Sequence, residues 1–164
     1  VRALVFGWGV GGAALVLASP AARLTPRGVA AFVEADPAER AAALAWLAWM
    51  LATAGIVGFH RAFAPRAAVR ALRLADEPLS AWALVAPLVA VGLLRSTPRR
   101  RAVTLATLLG VGVMVAGART LGEPARGLLD LGVGAALSTG TASVAWHAAR
   151  AWRGDPPAID AGWA

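Results

Sequence analysis

DPAERAAALAWLAWMLATAGIVGF, residues 36–59, decides the fold class. Residues 41–59 carry no charge, and Arg40 and Arg61 bracket them. At about 1.5 Å per residue, an apolar helix of that length crosses the roughly 30 Å hydrocarbon layer of a bilayer. The stretch also marks its own start. Asp36 suits an N-cap, Pro37 the first helical position, and Glu39 stands where a capping box wants an acid. It reads as a transmembrane helix.

The rest of the chain repeats the theme. The 164 residues are 59% hydrophobic, with a mean hydropathy of +0.64. A soluble domain of this length needs a more polar exterior. Further apolar runs lie at 3–18, 79–94, 102–118 and 127–149. The expected architecture is all-α: one domain over 1–164, a polytopic bundle of five transmembrane helices. Short amphipathic helices are expected in the interface at 26–35 and 65–75. The first run, flanked by Arg2 and "ASPAA", resembles a signal peptide, but its charged region is thin and a proline follows the small residues, so it reads as a retained span. Pro87 predicts a kink in the middle of the third span.

The net charge is +7, and every base is an arginine. The arginines sit between apolar runs, as residues that flank spans do. That position argues against nucleic acid as a partner. Arg66, Arg70 and Arg73 share one helical face, so they are expected to meet anionic lipid headgroups. Five spans put the chain ends on opposite sides, with seven arginines on one face and nine on the other. The acid-free Arg95–Arg101 loop then points to an outer N-terminus and an inner C-terminus. Trp46, Trp82, Trp146 and Trp152 lie toward span ends, as an aromatic belt does. Richness in Ala, Arg, Gly and Pro suggests a GC-rich bacterial genome. The expected location is therefore the bacterial inner membrane.

Missing residues exclude chemistry. Without Cys, Lys or Tyr there is no thiol nucleophile, Schiff-base lysine or phenolic acid. "GWGVGG", 7–12, matches a dinucleotide fingerprint by letter, but it sits inside a span rather than after a strand. His60 and His147 invite a bis-histidine haem. In a five-span topology, however, each lies at the exit end of an oppositely directed span, about 30 Å from the other. No two of His, Asp and Glu stand at metal-ligand spacing within a span. The expectation is no cofactor, no metal and no catalytic residue.

The remaining candidates are interfacial or structural. Asp130 stands four residues after Arg126, the spacing of an ion pair, near a helix N-terminus that favours negative charge. Ser138 and Thr141 continue a mildly polar stripe inward from it, and their hydroxyls are expected to bond back to their own helix. Asp130, Ser138 and Thr141 are thus the candidates for an ion or a partner helix. Gly132, Ala136, Gly140, Ser143 and His147 follow one helical face, and Gly7 and Gly11 offer the same option in the first span. Small residues at that spacing let helix backbones approach closely. This wealth of packing residues, beside so few reactive ones, predicts a non-catalytic accessory or scaffold subunit of a membrane complex. It would associate with other membrane subunits or with itself. A small transporter, channel or apolar-ligand receptor is the alternative, and a membrane enzyme or haem electron carrier the second.

Overall fold

The computed structural model describes residues 1–163, apart from the side chains of Leu108 and Met114. The described residues are helical and form no strand. The helices are α1 (Arg2–Glu34), α2 (Pro37–Met50), a π-wound segment (Leu51–Phe63), α3 (Ala64–Asp76), α4 (Ala86–Val91), α5 (Pro98–Ala118) and α6 (Ala125–Trp152). Four helices are long and apolar enough to cross a membrane: Arg2–Glu34, Pro37–Asp76, Pro98–Ala118 and Ala125–Trp152.

The start of α2 follows its sequence. The Glu39 N–H donates to Asp36 Oδ1 at 2.8 Å, and the Asp36 N–H donates to Glu39 Oε2 at 3.0 Å. These reciprocal bonds satisfy donors that the first helical turn leaves free. Beyond Met50 the helix widens rather than ends. The Ala64 N–H donates to the Phe59 carbonyl, five residues back, and α3 continues the same rod. Such winding is rare and is usually confined to single turns.

Three expectations need correction. Residues 26–35 do not form a separate interfacial helix, because α1 runs unbroken through Pro20 and Pro26. Packing holds the rod together where proline removes a backbone bond. A Cβ on Gly28 would lie 2.5 Å from the backbone of Leu131, and Ala31 is buried against Leu128. Residues 65–75 do form a helix, but its face is enclosed. Ala67, Ala68, Ala71 and Leu74 are buried, and so is Arg70.

The third expected span is the largest departure. Residues 79–94 make a 3₁₀ turn at Ala81–Ala83, the six-residue α4, and a reversal at Gly92. Pro87 opens α4 instead of kinking a long helix. Gly92 ends it with φ +90°, a backbone shape that a side chain resists. Part of this apolar stretch turns inward, while Leu79, Trp82, Leu84 and Leu88 stay exposed. Ala86 and Val89 pack with Leu74, and Ala90 with Phe6 and Ala13. Hydropathy measures the preference to leave water, which packing on α1 and α3 meets for Ala86, Val89 and Ala90.

The helix directions follow from the contacts. The rings of Phe6 and Trp152 stack at 5.2 Å, while Gly28 meets Leu131, so α1 and α6 are antiparallel. Trp46 Nε1–H donates to the Leu129 carbonyl at 3.1 Å, and Gly55 faces Thr139, so α2 and α6 run parallel. The chain therefore begins and ends at the same end of the bundle. α6 lies between α1 on one side and the 37–76 rod on the other. α5 makes no extended contact with any other element, and none of its described side chains is buried.

Backbone approach at Gly28 gives a direct test. Gly28→Ala should lower stability by about 1–3 kcal/mol, the usual cost of overpacking. Gly11→Ala, in the same helix with open space around it, should leave stability unchanged. Thermal unfolding of both variants in one detergent reads the difference.

Candidate functional site

The two histidines meet. His60 stands in the π-wound segment and His147 in α6. Their ring centroids are 5.1 Å apart, with the planes inclined at 43°. The expectation that they lie about 30 Å apart fails because residues 79–94 do not cross the bundle. With that crossing removed, the exits of both helices fall at the same end.

Hydrogen bonds fix both rings. A carbonyl only accepts, so the 3.1 Å contact of His147 Nε2 with the His60 carbonyl is a donation by the ring N–H. Ser143 gives its proton to the Thr139 carbonyl at 2.7 Å. Its oxygen therefore accepts from His60 Nδ1–H at 3.1 Å. Each imidazole then keeps one bare nitrogen, Nε2 on His60 and Nδ1 on His147. The latter is enclosed and has no hydrogen-bond partner in the described structure.

Asp130 is buried, and its partner is Arg27 of α1 at 3.6 Å, not the expected Arg126. Spacing along one helix picks out Arg126, whereas the pairing cation, Arg27, belongs to the antiparallel neighbour. Ser138 donates to the Gly134 carbonyl at 2.9 Å and Thr141 to the Leu137 carbonyl at 3.0 Å. These hydroxyls are turned back on their own helix. They line an open groove of about 540 Å³ between α1 and α6, together with Ala18, Ala21, Thr25 and Ala142.

The small residues of α6 are contact points. Gly132 receives the Trp46 indole, Gly134 receives Thr25, and a Cβ on Gly140 would come within 2.8 Å of the Phe59 ring. Ala136 and Ser143 are buried on the same helix. Gly7 and Gly11 meet nothing within 4 Å; the contacts in α1 fall instead on Gly9, against Ala71, and Gly12, against Pro87.

Arg70 is not available to headgroups. It is buried, its guanidinium lies against Gly92, and its Nε–H donates to the Ala161 carbonyl at 2.9 Å. Arg66 donates to the Ala62 carbonyl at 2.7 Å, and Arg73 is exposed. Arg70 instead anchors a clasp made by the chain end. Thr97 N–H donates to the Gly162 carbonyl at 3.1 Å. Arg100 pairs with Asp160 at 2.6 Å. The Arg95 guanidinium pairs with Glu77 and lies over Trp163 at 4.6 Å and Trp82 at 5.7 Å. Sequence reading passed over this clasp. The one local signal was Asp160-Ala161-Gly162, a turn in which Asp160 Oδ1 accepts from the Gly162 N–H at 2.7 Å.

A scan against protein-family models found no match, and searches of curated proteins and of solved structures found none either.

The clasp has a pH sign. The Gly162 N–H, then the Arg100 guanidinium, hold the exposed Asp160 carboxyl below the usual carboxylate range. A depressed acid contributes above its unfolded value, about 3.9, and that contribution is lost as pH falls through the folded value. A fluorophore on Ala158→Cys, in a chain with no other cysteine, should keep high anisotropy at neutral pH and lose it below about pH 4. Arg70→Ala should lower it at every pH, since the Ala161 carbonyl loses its charged donor.

Proposed function

We propose that this chain is a bacterial inner-membrane protein of four spans, working as a non-catalytic accessory subunit that offers α5 to another membrane protein. The observation that carries the proposal is the isolation of α5. Three long helices pack together through small residues, whereas α5, apolar beyond Arg101, makes no extended contact with them among the described residues. Its start is nevertheless tied, because the pairing of Arg100 with Asp160 holds the first turn. A tethered apolar helix with no extended contact among the described residues suits a lateral contact with a partner helix. Ala102, Ala106 and Gly110 give it a face on which backbones can come close.

Charge supports the orientation. With four spans the end holding both termini carries Arg2, Arg61, Arg66, Arg70, Arg73, Arg95, Arg99, Arg100, Arg101, Arg150 and Arg153. The opposite end carries Arg23, Arg27, Arg40, Arg119 and Arg126. Eleven against five is a clear bias, and it supports a cytoplasmic side for both termini. The exposed Arg73, Arg99 and Arg101 suit anionic headgroups there.

Photo-crosslinking in native membranes tests the role. A photoreactive residue at Leu109 of α5 should give one discrete protein adduct, and the same residue at Leu15 of α1 should give lipid adducts alone. Lipid adducts at both positions would overturn the accessory reading. A dimer of this chain at Leu109 would replace the foreign partner with a second copy.

A further inference from the structure

We infer that residues 79–91 form a re-entrant wedge in the cytoplasmic leaflet, entering and leaving on the same side, with lipid chains as the partner of its exposed face. The inference rests on the four-span reading but on different residues from those of α5. Both ends of the segment are pinned at the end of the bundle that holds the chain termini. Asp76, just before it, pairs with Arg2 at 2.6 Å. Glu77 pairs with Arg95, just after it.

Between these pins the segment dips beside α1. Trp8 Nε1–H donates to the Leu84 carbonyl at 3.0 Å. Ala86 lies against Gly9, and a Cβ on Gly12 would fall 2.4 Å from the Pro87 ring. Gly9 and Gly12 stand seven and ten residues past Arg2. At about 1.5 Å per residue they lie about 10–15 Å along the helix. A hydrocarbon layer is roughly 30 Å thick, so the tip reaches no further than its middle.

The segment suits apolar surroundings on two counts. Irregular backbone at membrane depth has to be satisfied within the protein. Here the Ala83, Leu84 and Val85 N–H groups donate to the carbonyls of Ser80, Ala81 and Trp82. Leu88 and Val89 donate to the Val85 carbonyl, and Leu93 and Leu94 to that of Leu88. The Ser96 hydroxyl donates to the Gly92 carbonyl at 2.8 Å. The side chains divide by face. Ala86, Val89 and Ala90 are buried, whereas Leu79 is 72% exposed and Leu84 78%, with Trp82 and Leu88 beside them. No charge interrupts residues 78–94. The surrounding charges assign this face to lipid. Arg73, Arg99 and Arg101 are exposed on the flanking helices and complement anionic headgroups. Trp82 suits the headgroup boundary.

The test places single cysteines at Pro78, Leu84 and Leu88, whose side chains are outside the packing, in the full chain. The chain is held one copy per nanodisc of phosphatidylglycerol and phosphatidylethanolamine, so no second copy can shield it. A fluorophore at 84 or 88 should be quenched by nitroxides on the lipid chains and shielded from aqueous iodide. One at 78 should show the reverse. The thiol at 84 should react with a membrane-impermeant maleimide at least about tenfold more slowly than the thiol at 78, a ratio that burying one such side chain sustains. In oriented vesicles, cysteines at Pro78 and Arg99 should label from the same side. Iodide access at 84 equal to that at 78, with 78 and 99 still on one side, would overturn the wedge alone and leave the four spans standing. Labelling of 78 and 99 from opposite sides would overturn the wedge and the four spans together.

Discussion

The closeness of α6 to its neighbours governs this structure. Four of its helices are long and apolar enough to cross a membrane, and in lipid such helices would gain little from hiding apolar side chains. What remains is contact between backbones and the polar bonds that contact allows. α6 supplies the contact at Gly132, Gly134 and Gly140, and α1 answers with Gly28. Once the backbones are that close, Trp46 reaches the Leu129 carbonyl, His147 reaches the His60 carbonyl, and Arg27 reaches Asp130. Each of these bonds depends on an approach that a larger residue would prevent.

Much of this was legible in the sequence. The capping box at Asp36–Glu39, the apolar run after it and the small face of α6 all describe local or periodic order. That order is fixed by residues a few positions apart. The failures were of another kind. Pro20 and Pro26 looked like a break because proline removes a backbone bond, yet α1 is held from the side by α6. Residues 79–94 looked like a span because they are apolar, yet they fold into a turn and a short helix whose Ala86, Val89 and Ala90 pack on α1 and α3. Arg70 looked like a headgroup ligand because of its helical face, yet the chain end returns to cover it. In every case a segment distant in sequence decided the outcome.

One of those failures altered the candidate site. Counting five crossings placed His60 and His147 on opposite sides and dismissed them as unrelated. A fold in which 79–94 turns back at Gly92 brings the rings within 5.1 Å, with Ser143 between their helices. The same change sorts the arginines into a strong majority at one end. The polar centre, the charge bias and the free-standing α5 therefore all follow from whether that short segment crosses.

Topology is consequently the claim to measure first. The chain lacks cysteine, so single cysteines at the exposed positions Val1, Pro78, Leu121 and Ala158 can each be tested with a membrane-impermeant maleimide in oriented vesicles. The account predicts that 1, 78 and 158 label from the cytoplasmic side and 121 from the other. Labelling of 1 and 158 from opposite sides would contradict it, since an odd number of crossings would then separate the two histidines again.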